Sequence, residues 1–212
     1  RPYQDTSLIL EKSVGSFWGW MRANDGLKID YQSTPPKLIK TSIMHCCTAN
    51  GARTLYFVWN SIITEMSGEI RINLLLNKAS PWVDINSYIP VTGKVNLQIK
   101  QPNKFAVRIP SWCNMADVRL ELDNKPLNFD VEGRYVKTGK LPAGCIVSLS
   151  LPIQEHTTHR VIGEIPYKLT TRGANVASID PRGIGYPLFQ NQPTGLDQIT
   201  ERFVPDIHNI DW

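Results

Sequence analysis

Two cysteines stand side by side in this sequence, Cys46 and Cys47, and no other residues in it are better suited to chemistry. A thiol reacts, and binds metal, as the thiolate. The segment after the pair has the apolar spacing of a helix, so both sulfurs fall at a helix start, where the macrodipole and unpaired N–H groups favour the charged form. Neighbouring cysteines bond to each other only in a strained turn. Both can reach one metal ion if the backbone turns between them, and a tetrahedral zinc would then need about two further donors. His45 is adjacent, but three consecutive ligands are sterically awkward. The plain alternative is a pair of buried thiols in a helix-capping turn, since free cysteine commonly behaves as a small hydrophobe.

Other candidates carry less. Asp25, Asp30, Glu65, Glu69 and Asp84 could supply paired carboxylates for acid–base work, but no spacing singles one out. Charged side chains mostly end up solvated. His156 and His159 are three strand residues apart and would face opposite sides, and His208 has no visible partner. Trp18 and Trp20 could stack on a sugar ring, or fill a core as large aromatics mostly do. Cys113 and Cys145 read as buried small hydrophobes. A redox dithiol is disfavoured, because the adjacent pair lacks the spacer of redox motifs.

The elements that must position the pair follow from periodicity. Asn50 to Met66 predicts a helix, with Leu55, Val58, Trp59, Ile62 and Met66 in one stripe that Tyr56, Phe57 and Ile63 widen. A helix this apolar is expected to be buried. Thr48 or Asn50 is its expected N-cap, and Ser67-Gly68 its stop. Upstream, Thr6–Val14 predicts a short helix, Asn24-Asp25-Gly26 a turn, and Pro35-Pro36 a loop. After Gly68 the period changes to two, at 70–74, 95–99, 105–109, 118–122 and 147–151. Further strands are expected at 156–162, 167–171 and 176–179. Turn signals separate them, so the region predicts half-buried antiparallel strands in a β-sandwich. The fold class expected is therefore mainly β: a sandwich preceded by loops and one helix. The division expected is 1–67, the end of a helical domain, and 68–212, a sandwich region or two small sandwiches split near 155.

With 212 residues, 42% hydrophobic and 20% charged, the composition is that of a globular protein. The net charge of +4 is scattered, leaving no nucleic-acid footprint, and no apolar run is long enough for a membrane span. The opening Arg1-Pro2-Tyr3-Gln4 has no signal-peptide pattern and no Met, so a processed or truncated start is expected.

The stretch Met44–Tyr56, MHCCTANGARTLY, and the stretch Glu69–Ser80, EIRINLLLNKAS, resemble glycoside hydrolase family 127, the former DUF1680 group of bacterial β-L-arabinofuranosidase-like proteins. FAVRIPSW at 105–112 and PAGCIVSLSLP at 142–152 are similar to two further strands of that family, and VGSFWGW at 14–20 with Asn24-Asp25 to one subgroup. The resemblance runs from about Val14 to Gln190. It implies an (α/α)6 barrel holding the active site, completed by the helix of this chain and followed by β-sandwich domains. It implies a retaining hydrolase whose cysteine nucleophile is bound to zinc, the metal being held by a Glu-x-Cys motif and the Cys-Cys pair. Carried over by position, Cys46 is the nucleophile and a ligand, and Cys47 the second thiolate ligand. The chain has no Glu-x-Cys, and Thr48-Ala49-Asn50 stands where the family has Pro-Pro-Asn. The zinc site is thus expected to be incomplete and this C-terminal piece inactive alone. Its expected partners are a carbohydrate substrate and the N-terminal barrel of the same polypeptide, with a homodimer open and no nucleic acid or membrane. The compartment stays open between bacterial cytoplasm and periplasm. The rival reading is a noncatalytic carbohydrate-binding or structural sandwich in which the cysteines merely pack.

Overall fold

A computed structural model of the chain describes residues 16–19, 21–26, 28–30, 37–40 and 45–189. The predicted helix at 6–14, Trp20, the Pro35-Pro36 loop and the tail with His208 lie outside the described residues. The elements are β1 (Lys28–Asp30), β2 (Lys37–Lys40), α1 (His45–Ser61), β3 (Ile63–Met66), β4 (Glu69–Ile72) and β5 (Val83–Ser87). They continue with β6 (Lys94–Ile99), β7 (Asn103–Arg108), β8 (Arg119–Leu122), β9 (Lys125–Pro126) and β10 (Asp130–Glu132). The last are β11 (Tyr135–Leu141), β12 (Ile146–Ser150), β13 (Glu155–Ile162), β14 (Ile165–Arg172) and β15 (Asn175–Asp180). Two compact units form. Among the described residues, one takes those up to Trp59 with Glu155–Thr171 and 175–189; the other takes Asn60–Gln154 and Arg172–Ala174.

The second unit is a β-sandwich. Its sheets run β10-β11-β7-β4-β3 and β5-β6-β12-β8-β9. Ile70, Ile72, Phe105 and Val136 from one sheet and Val83, Leu97, Val147 and Leu149 from the other share a single core cluster. Burial alternates along β4, β5, β6, β11 and β12, where period two places one apolar face inward, whereas β7 buries Phe105, Ala106 and Val107 in a row. Cys113 and Cys145 are buried in it as expected. Burial, and after it the charges of Asp117 and Asp123 respectively, push both thiols up.

Three expectations are corrected here. First, the helix runs His45–Ser61, not Asn50–Met66. Asn50 is no cap: inside the helix its side chain donates back to the Cys46 carbonyl at 2.8 Å. At the other end β3 pairs with β4, Ile63 opposite Ile72 and Met66 opposite Glu69. Ser67 and Gly68 both have positive φ, 54° and 75°, so they are a two-residue hairpin turn and not a helix stop. The β-branched Ile62 and Ile63 gain more from the sandwich core, where they are buried, than from a further helical turn. Second, the apolar stripe of α1 is not buried: Leu55 is 60% exposed, Tyr56 65% and Phe57 57%. Helical spacing decides which residues share a face, but not whether anything covers it. Third, the strands are not all antiparallel, because β4 and β7 pair parallel, Ile70 opposite Phe105. The chain leaves β4 for the β5–β6 hairpin of the other sheet and returns running in the same direction.

Several strands were not expected, among them β11 and β5 of the sandwich and the short β1, β2, β9 and β10. In β11 the inward residues are Val136, Thr138 and Leu141, with a register shift between Lys137 and Lys140. The polar Thr138 hides the alternation; its hydroxyl donates to the Phe105 carbonyl at 3.3 Å. β5 alternates only through Val83 and Ile85.

In the first unit, β13-β14-β15 form a meander with Gly163-Glu164 as its first turn, φ 56° and 69°. Tyr167 and Ile179 are its buried residues, and β13 is exposed along its whole length. No helix among the described residues is long and apolar enough to cross a membrane.

Candidate functional site

Cys46 and Cys47 are not ahead of α1 but within its first turn. Their sulfurs lie 3.9 Å apart and both are free thiols. A disulfide would need about 2.05 Å. Two thiolates on one tetrahedral zinc, each at about 2.3 Å, sit about 3.8 Å apart. The separation of the pair therefore matches that of two thiolates on a shared zinc. The first N–H groups of the helix have no partner within the helix, and no acidic residue stands in its first turn.

The two thiols differ. Cys46 is exposed and Cys47 half-buried. The lowering expected from the helix start is not what Cys47 shows. Loss of solvent, followed by the hydrogen bond and the charge of Cys46, pushes its thiol up. Two adjacent thiolates repel, so ionising both calls for a cation between them. Among the described residues no group of three or more His, Cys, Asp and Glu side chains is placed to hold a metal. The pair supplies two donors, and exposed His45 does not complete a third.

What holds the pair is the segment Phe17–Gly19, laid along the start of α1. Thr48 donates its hydroxyl to the Phe17 carbonyl at 3.4 Å. A Cβ at Gly51 would run into the Phe17 ring, and one at Gly19 into the Cys47 sulfur. Both glycines are there for close approach. Gly19→Ala is therefore expected to push Cys47 aside and speed its reaction with a thiol reagent severalfold, read by labelling kinetics on a Cys46→Ser background. Trp18 is half-buried and tilted against Tyr186, ring centres 5.4 Å apart, so it packs and does not present an open stacking platform.

Asp25 corrects the expectation of solvated carboxylates, because it is only 4% exposed. Its Oδ2 accepts the backbone N–H groups of Ile184 and Gly185, and its Oδ1 that of Tyr186, each at 2.7 Å. Buried Asn24 donates to the Pro181 carbonyl at 2.7 Å and accepts from the Tyr167 hydroxyl at 3.4 Å. The triplet Asn24-Asp25-Gly26 shows a turn; its partners lie about 160 residues on and leave no local signal. Three other carboxylates are structural. Glu65 accepts the Gly68 N–H, Glu69 pairs with Arg71 and Lys137, and Asp84 pairs with Lys100. The side chain of Asp30 is outside the described residues, and His156 and His159 sit on exposed β13.

Fold and site together define a class: a β-sandwich protein carrying a dithiol in the first turn of a helix. No family model matches the sequence, and no curated protein is similar to it. Solved structures do share its fold. One is a GH127 β-L-arabinofuranosidase from Geobacillus stearothermophilus T6, matched with a TM-score of 0.52 at 17% identity over 62% of this chain. A second, a GH127 β-arabinofuranosidase, gives a TM-score of 0.58 at 16% identity over 76% of the chain. A third, described as a glycoside hydrolase, gives 0.52 at 21% over 62%. This chain spans 23%, 29% and 25% of their respective lengths. The chain thus has the fold of one part of these larger enzymes.

Proposed function

We propose that the chain is the C-terminal part of a retaining glycoside hydrolase of the family 127 kind, which cleaves arabinofuranoside-type sugars with Cys46 as nucleophile. The observation that carries the reading is the dithiol, its sulfurs 3.9 Å apart at the head of α1, in a chain that shares its fold with GH127 arabinofuranosidases. Cys46 and Cys47 would hold zinc. The remaining donors, and the acid–base carboxylate, would come from an N-terminal helical barrel of the same polypeptide. Such a barrel would also cover Leu55, Tyr56 and Phe57 on α1. Burying what remains exposed of each would add about 1–2 kcal/mol.

Bound zinc would keep both thiols ionised at neutral pH. Cys46, the exposed member of the pair, presents its sulfur to the anomeric carbon. The C–S bond forms as the glycosidic C–O bond breaks, and a carboxylic acid protonates the departing oxygen. Water then attacks the same carbon, sulfur leaves as thiolate, and the carboxylate takes the proton from water. Two displacements at one carbon retain its configuration. Cys47, covered by Gly19, stays a ligand and a brace.

The test is to mix the full-length parent with an arabinofuranoside bearing a good leaving group, quench in acid and map the modified peptide by mass. A pentosyl adduct on Cys46 is expected. An adduct on a carboxylate, or turnover with Cys46 never modified, would reject the mechanism. The isolated chain, with two of the ligands, is expected to turn over none of this substrate.

A further inference from the structure

We infer that Asp25 is a positioning residue for the dithiol: its carboxylate fixes the loop 181–188, and that loop holds Trp18, and through it Gly19, against Cys47. The inference rests on the zinc–thiolate reading of the site for its purpose, but not for its geometry.

The linkage is a series of close contacts. Asp25 takes three backbone N–H groups from consecutive residues of the loop, and Asn24 a carbonyl of the same loop. The Gly26 N–H donates to the Tyr186 carbonyl at 2.8 Å, and the Leu188 N–H to the Asn24 carbonyl at 3.0 Å. A turn of the Asn-Asp-Gly type needs no buried charge, and burying a carboxylate is costly unless donors surround it. Charge-assisted bonds of this kind set the loop rigidly. What they place is the Tyr186 ring. It lies against the Trp18 ring, and a Cβ on Gly26 would run into both rings. The residue after Trp18 is Gly19, whose Cα side abuts the Cys47 sulfur. Phe17, on the other side of Trp18, is held by Thr48 and Gly51 of the same helix. The segment Phe17–Gly19 is therefore gripped from two directions, by α1 and by Tyr186. Packed groups transmit displacement with little give. A metal site needs its donors within about 0.5 Å of their working geometry, so loosening the loop should reach the sulfur pair.

The experiment uses the chain itself in one assay and the full-length parent in the other. In the first, Cys46→Ser leaves Cys47 as the reactive thiol, since Cys113 and Cys145 are 2% and 6% exposed. Its reaction with an aromatic disulfide reagent is timed alone and combined with Asp25→Asn or Trp18→Ala. Asp25→Asn replaces one acceptor oxygen with a donor; Trp18→Ala severs the link and leaves the carboxylate clamp whole. Both are expected to speed Cys47 severalfold. In the second assay cobalt(II) is titrated into the metal-free full-length parent with both cysteines, and the sulfur-to-cobalt charge-transfer band is followed. Each variant is expected to weaken binding by about tenfold, the usual cost of losing support behind a ligand. An unchanged Cys47 rate in Trp18→Ala overturns the inference, even where Asp25→Asn fails to fold. A faster rate in Trp18→Ala with no change in a folded Asp25→Asn also overturns it, since the carboxylate then plays no part. If the full-length parent, which would supply the remaining donors, gives no cobalt band at any concentration, the metal reading falls, and the labelling rates still decide the positioning role.

Discussion

Cys46→Ser in the full-length parent is expected to lower arabinofuranoside turnover by at least about 10³-fold, in kcat and kcat/KM alike. A serine hydroxyl is not ionised near neutrality, and it is a poorer zinc ligand than a thiolate. The change therefore removes the attacking group and weakens the metal at once. It should cost the fold little. Cys46 is exposed, and its sulfur lies 3.9 Å from that of Cys47. Surface changes of this kind usually stay within about 0.5 kcal/mol. Melting curves of the metal-free variant should overlay those of the parent. Full turnover in a folded Cys46→Ser enzyme would favour the rival reading, a sandwich with packing cysteines, or another nucleophile.

Phe105→Ala is expected to destabilise the sandwich by about 3–5 kcal/mol, the cost of an emptied aromatic site in a packed core. Domains of this size are stable by about 5–15 kcal/mol, so much of the margin would go. Phe105 is 1% exposed and sits on β7, between β11 and β4. Its own strand is paired with β11 on one side and β4 on the other, which limits collapse into the gap. Its carbonyl also accepts from Thr138, so movement of this strand would strain a second buried contact. Denaturant unfolding of the chain, followed by tryptophan fluorescence, measures the loss. A shift under about 1 kcal/mol would mean that the core is far looser than its burial indicates.

Much of the sandwich was legible in the sequence because alternation is a local property. Val95, Leu97 and Ile99, or Val147 and Leu149, declare their inward face by spacing alone. Where a polar residue sits on the inward face the pattern breaks. Thr138 concealed β11 in that way, since its hydroxyl is satisfied by a carbonyl 33 residues away. The helix boundary failed for a related reason. Ile62 to Met66 fits a helical stripe as well as a strand, and only pairing with β4 settles which period applies.

The site divides along the same line. The sequence by itself determined the chemistry available at residues 46–47: two thiols at a helix start, with the flanking resemblance to family 127. It also determined that a Glu-x-Cys partner is absent from this chain. Tertiary structure alone decided that the sulfurs stand 3.9 Å apart, that Cys47 is packed beneath Gly19, and that its thiol is pushed up. It also turned Asp25 from an apparent surface carboxylate into the anchor of a loop about 160 residues downstream. Residue type fixes what a side chain can do, whereas distance, burial and remote hydrogen-bond partners are set by which segments the fold brings together.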